Sequence, residues 1–191
     1  MYDWANSVYS LVITTTIFPI YYNAATKAAF SSEIVDFFGL EITNTVLYSY
    51  SLSFSFLIVV ILSPLLAGIA DYGGKRKFFM KTFAYMGGLS CIMLFFFIGD
   101  NVEWGIIFSI LASAGFAGSL VFYNSYLPVI ATPDKFDMVS ARGFSLGYLG
   151  SVLLLVVNLA MITFPDTFHL SSDAMASRVS FLMVGVWWIG F

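Results

Sequence analysis

Six long apolar segments alternate with short polar connections along this chain: Ala5–Ala24, Val46–Ala70, Phe78–Ile98, Trp104–Tyr123, Phe144–Phe164 and Val179–Phe191. A helix rises ~1.5 Å per residue, so ~20 residues cross the ~30 Å hydrocarbon layer of a bilayer. The pattern predicts an all-α membrane protein with six transmembrane helices. The last segment is too short to span comfortably, and the first opens almost at Met1. Both ends therefore read as cut from a longer protein.

Composition agrees with the pattern. Of 191 residues, 60% are hydrophobic and only 10% charged, with a mean hydropathy of +0.91. Soluble domains carry about a quarter charged residues, and so little polar surface could not cover six core helices in water. The net charge of −3 argues against a nucleic-acid partner. Cys91 is the only cysteine and lies inside an apolar run, so it reads as a packing residue.

The connections differ in charge. Lys75, Arg76, Lys77 and Lys81 flank the second, and Lys135 and Arg142 lie in or beside the fourth. The first, third and fifth carry or adjoin Glu33, Asp36, Glu41, Asp100, Glu103, Asp166 and Asp173, with only Lys27 and Arg178 basic. Basic residues are retained in the cytoplasm, which places the amino terminus and the even connections inside.

The second connection, Asp71-Tyr72-Gly73-Gly74-Lys75-Arg76-Lys77, runs against helix electrostatics. Asp71 ends one helix, where the dipole disfavours an anion, and the basic cluster opens the next, where it disfavours cations. Topology accounts for the cluster. Asp71 needs a further partner, a cationic side chain or another helix's amino end. Gly73-Gly74 supplies a tight reversal.

Polar residues inside the helices mark candidate sites. At 100° per residue, Asp3, Ser7, Ser10 and Thr14 fall within an arc of about 60° on the first helix, opposite Val8, Leu11, Ile17 and Phe18. Such a stripe either lines a cavity or has its hydroxyls bonded to nearby backbone. Asp3 is also placed to be solvated or to cap the helix. On the fifth helix, Gly143, Gly147 and Gly150 form a small-residue face for close helix approach, and Tyr148, Ser151 and Asn158 lie beside it. Asn158 either lines a cavity or makes an interhelical hydrogen bond. The fourth helix is small all round and reads as tightly packed. Pro19 and Pro64 should bend the first and second helices. No enzyme constellation is visible, and no cofactor or metal is called for: His169 is the only histidine and lies in an outer connection.

The second connection resembles the signature loop of the major facilitator superfamily, at Asp71, Gly74, Lys75 and Arg76. Ala67 stands where that pattern has glycine, and Tyr72 where it has a basic residue. Three further stretches are similar to the vacuole-effluxer-like branch, whose yeast members export amino acids: Tyr2-Asp3-Trp4-Ala5-Asn6-Ser7, Phe122-Tyr123-Asn124-Ser125-Tyr126-Leu127-Pro128, and Val139-Ser140-Ala141-Arg142-Gly143 with Gly147-Tyr148-Leu149-Gly150. The resemblance implies that residues 1–191 are the amino-terminal half, a 3+3 inverted repeat, of a twelve-helix carrier whose carboxyl-terminal half lies outside this sequence. It implies alternating access, a small polar solute and amino acid efflux. In such a carrier the polar positions Asn6, Ser10, Thr14, Tyr148, Ser151 and Asn158 are the substrate-cavity candidates, and Asp71, Gly74, Lys75, Arg76 and Arg142 the signature-loop and gating residues. Coupling would use Asp3, the missing half, or nothing. The membrane would be the cell membrane of a prokaryote or the vacuole of a eukaryote. The competing reading is a non-transporting membrane assembly or lipid-contact module.

Overall fold

The computed structural model describes residues 2–191, apart from the side chain of Asp71. All six predicted segments are helical. The first comprises α1 (Tyr2–Val8), a π-helical stretch (Tyr9–Ile17) and α2 (Phe18–Phe30). A two-stranded antiparallel hairpin follows, β1 (Ile34–Phe37) and β2 (Leu40–Thr43), and then α3 (Asn44–Tyr72), α4 (Arg76–Leu94) and α5 (Val102–Asn124). A short α6 (Leu127–Ile130) leads to α7 (Phe136–Thr163) and α8 (Asp173–Gly190).

Among the described residues, three helical stretches are long and apolar enough to cross a membrane: Asn44–Ala70, Val102–Ile130 and Pro133–Thr163. Helices α4 and α8 are shorter, 19 and 18 residues, and carry Arg76, Lys77 and Lys81, and Asp173 and Arg178. The sequence placed Arg178 in a connection, but α8 starts earlier. Ser172 caps it by accepting from the Met175 N–H at 3.1 Å. Arg178 then lies within the helix, its Nε donating to the Phe95 carbonyl at 2.6 Å and its guanidinium 4.8 Å from the Phe95 ring centroid.

The π-helical stretch has a local cause. Val12-Ile13-Thr14-Thr15-Thr16-Ile17 is a run of β-branched residues, which crowd a regular α-turn. Pro19 follows; it offers no N–H to the Thr15 carbonyl and its ring presses on that carbonyl. The chain widens instead. Thr15 and Thr16 donate back five residues, to Ser10 O and Leu11 O, and the Phe18 N–H bonds Ile13 O. Pro64, by contrast, lies inside an uninterrupted α3.

Helix α5 is the most enclosed of the three long stretches, with 56% of its most apolar window buried against 11% for α3 and 33% for the α7 stretch. Small residues explain its position. A Cβ on Gly115 would lie 2.6 Å from Gly87 Cα, so α4 and α5 touch backbone to backbone, as the small-residue composition predicted. Helix α8 also packs on α4, where Gly185 meets Gly88 O at 2.5 Å on the same measure. An aromatic cluster of Phe18, Tyr21, Tyr22, Phe97 and Phe181 fills the end of the bundle nearest the hairpin. Helix α3 keeps Phe54, Leu57, Val60, Ile61 and Leu65 exposed, and α7 keeps Leu149, Leu153 and Val156 exposed.

The hairpin was not read from the sequence. Its turn residues Phe38 and Gly39 both have positive φ, 52° and 83°, as a two-residue hairpin turn requires, and Gly39 N–H donates to Asp36 Oδ1 at 3.0 Å. Asn44 locks its base, donating to Asn23 Oδ1 at 3.0 Å and Thr26 Oγ1 at 2.9 Å. Beside it, Lys27 and Glu33 pair at 2.7 Å; the hydrogen bond and charge of Lys27 hold the Glu33 carboxyl below its ordinary range.

Candidate functional site

The first helix lies against α7 because α7 has no side chains in the way. A Cβ on Gly147 would meet Ser7 Oγ at 2.5 Å and Asp3 O at 2.7 Å, one on Gly143 would collide with Asp3 Oδ2, and one on Gly150 would meet the Trp4 ring at 3.0 Å. The glycine face expected on the fifth helix is thus the seat of the first.

Beside this seat a groove of about 310 Å³ runs between the first helix, α5 and α7. Its polar lining is Asp3, Asn6, Ser7, Ser10, Thr15, Tyr148 and Ser151, and its apolar lining is Leu11, Phe116, Leu120 and Phe144. Asn6, Ser10, Tyr148, Ser151 and Asp3, all expected from the sequence, are brought together here. Tyr148 is open to the groove at 64% exposure.

Two expected residues are elsewhere. Thr14 does not line the groove; Thr15 takes its place. The periodicity argument assumed 100° per residue, and the π-helical stretch adds residues to the turn, so the stripe continues from Ser10 to Thr15. The same shift brings Leu11, assigned to the opposite side, into the lining. Asn158 is fully buried away from the groove, and neither its Oδ1 nor its Nδ2 has a hydrogen-bond partner. It neither lines this cavity nor makes the interhelical bond considered for it. A β-branched run ending at a proline was the available signal for the shift.

The hydroxyls have a common geometry. Ser10 Oγ donates to Ser7 O at 3.0 Å, Ser151 Oγ to Gly147 O at 2.7 Å, and Thr15 Oγ1 to Ser10 O. Their protons are engaged by backbone, so they face the groove with acceptor lone pairs.

Asp3 is neither solvated nor a simple cap. It is 5% exposed, and its Oδ2 accepts from the Tyr123 hydroxyl of α5. It also lines a second, smaller crevice with Tyr123, Asn124, Val139 and Ser140, so the carboxylate stands between two cavities. Asn6 is 1% exposed, and its Nδ2 has no partner.

The signature turn has a defined geometry. Gly74 adopts φ +62° and the Lys75 N–H bonds back to Ala70 O at 2.8 Å, which closes α3 with a Schellman-type cap. Gly74 alone of the two glycines is left-handed. Arg76 Nη1 reaches the Ser125 carbonyl at the end of α5, at 3.3 Å. The Asp71 side chain lies outside the described residues. Lys75 and Arg142 are exposed.

A larger cleft of about 610 Å³ lies between α2, α7 and α8, lined mainly by Ile20, Ala24, Ala28, Leu159, Ile162 and Ala174. Thr16, Tyr21, Asp173 and Ser177 add polar groups to this largely apolar lining. Among the described residues no cluster of histidine, cysteine, aspartate or glutamate could hold a metal ion.

A helical bundle with spanning-length apolar helices and a polar groove at its first helix defines an integral membrane protein. The chain belongs to the family described as vacuole effluxer Atg22 like, which it matches over residues 1–191. It is 35% identical over 191 residues to a Bacillus subtilis (strain 168) protein named "Uncharacterized MFS-type transporter YxiO", covering 98% of this chain and 42% of that one. It is 36% identical over 96 residues to Autophagy-related protein 22 of Coccidioides immitis (strain RS), covering 50% and 16%. With Autophagy-related protein 22-1 of Penicillium rubens it shares 22% over 223 residues, 83% of this chain and 36% of the relative. The chain thus spans less than half the length of each of these relatives. No solved structure matches it.

Proposed function

We propose that residues 1–191 form the amino-terminal six-helix half of a secondary carrier that moves a small polar solute, with amino acid efflux as the substrate class, by alternating access against a second half. The observation that carries this reading is the groove, where Asp3, Asn6, Ser7, Ser10 and Thr15 of the first helix meet Tyr148 and Ser151 of α7. Polar groups within a bilayer mark solute or ion pathways, and carriers of this architecture bind between two halves near the midplane. The exposed apolar lengths of α3 and α7 suit a second half and lipid. The relative named an MFS-type transporter, the family's description as vacuole effluxer like, and the share of that relative's length that this chain covers support the same reading. In it the amino terminus and the Lys75-Arg76-Lys77 turn face the cytoplasm, in the cell membrane or the vacuolar membrane.

The full-length protein reconstituted in vesicles tests the proposal by counterflow. Vesicles preloaded with a mixture of the common amino acids should take up trace labelled amino acid faster than unloaded ones, and the uptake should saturate. Uptake no greater than in protein-free vesicles would favour the packed, non-transporting module.

A further inference from the structure

We infer that the groove binds a protonated amine, with the Asp3 carboxylate as its counter-ion. The inference rests on the carrier reading for its biological setting, and on the groove's own chemistry for its content. Asp3 is the only buried charged side chain among the described residues, and the two cavities it lines contain no lysine, arginine or histidine. The Tyr123 hydroxyl donates to its Oδ2. A carboxylate largely withdrawn from water, with no cationic side chain in either cavity it lines, is costly, and a mobile cation offsets that cost. The rest of the lining narrows which cation. Ser10, Thr15 and Ser151 have given their protons to helix carbonyls and present acceptors alone. An ammonium group is donor-only, with three N–H bonds to place, and finds acceptors in the Asp3 carboxylate and these hydroxyls. The volume, about 310 Å³, lies at the small end of ligand pockets.

A zwitterionic solute would then have a fixed orientation. Its amine end meets this half, and its carboxylate must be met by a cation from outside the described residues, on the second half. Tyr123 is a positioning residue, orienting the Asp3 carboxylate through its bond to Oδ2.

The test uses purified full-length protein and simple probes: propylamine, butylamine and pentylamine, against butanoate and pentanoate at equal ionic strength, with thermal unfolding as the readout. The amines should raise the unfolding temperature in a saturable manner, and the carboxylates should not. Asp3→Asn should abolish the amine shift. Should Asp3→Asn not fold, Ser10→Ala and Ser151→Ala decide: each should weaken the apparent amine affinity several-fold. No amine shift in the wild type, equal shifts with carboxylates, or an undiminished shift in the variants would overturn the assignment. A protein stabilised by acidification but by no amine would likewise overturn it in favour of a proton at Asp3. Amine binding is measured without transport, so its failure and a failure of counterflow are separate results.

Discussion

The Tyr123 hydroxyl donates to Asp3 Oδ2 across 120 residues of sequence, joining the end of α5 to the start of the first helix. The Tyr2 ring packs on Tyr123 with centroids 4.9 Å apart, and Gly143 leaves the space the carboxylate fills. One contact thus fixes the charged end of the groove against two neighbouring helices. Removing the donor alone leaves a buried acceptor unsatisfied, which costs about 1–3 kcal/mol. Tyr123→Phe should destabilise the full-length protein by that order, and Asp3→Asn/Tyr123→Phe should cost less than the two single changes summed. Denaturant unfolding of the four proteins measures the coupling; strict additivity would mean that the two groups do not interact.

The π-helical stretch makes a prediction that a regular helix would reverse. In a Cys91→Ala background, Thr15→Cys should react with a small aqueous thiol reagent and Thr14→Cys should not. Pro19→Ala restores the missing N–H and relieves the widened turn. It should raise the reactivity of the Thr14 site and lower that of Thr15. Equal labelling at both sites, with or without Pro19, would remove the shifted register.

Gly147 seats the first helix more tightly than Gly150 does, at 2.5 Å to Ser7 Oγ against 3.0 Å to the Trp4 ring. Overpacking a close contact costs about 1–3 kcal/mol. Gly147→Ala should lower the unfolding temperature more than Gly150→Ala, since the Trp4 ring can give where the Asp3 backbone cannot. The reverse order would contradict the packing described.

Orientation is checked by labelling intact cells. Phe38→Cys, at the tip of the hairpin, should react with an impermeant reagent from outside. Lys77→Cys should react only once the membrane is opened. Outside labelling of the Lys77 site would invert the assignment drawn from the basic connections.

Much of this was legible in the sequence because it rests on local chemistry. Apolar runs specified the helices, and glycine at positions 143, 147 and 150 marked the helix seat without any knowledge of what occupied it. Helix starts at Phe136 and Asp173 were less visible, because charged residues such as Arg142 and Arg178 resemble connection residues until their partners are known. The Phe38-Gly39 turn was hidden for a similar reason: both flanking strands are only four residues long and neither alternates cleanly. Thr14 was assigned to the groove by a fixed angular period that Pro19 and the β-branched run do not permit. Asn158 was judged by its cost in hydrocarbon, yet the fold buries it without a partner. The Asp3–Tyr123 contact joins distant parts of the chain, and no spacing rule within one helix could reveal it.

The central claim is that the groove along the first helix is a water-accessible solute site. Ser10→Cys in the Cys91→Ala full-length protein tests it most directly, with the buried Ile13→Cys as control. The Ser10 site should react rapidly with a small charged thiol reagent, the solute identified by counterflow should slow that reaction, and the Ile13 site should stay inert. A Ser10 site as unreactive as Ile13, in a protein that folds and inserts normally, would contradict the account and leave a dry, packed bundle in its place.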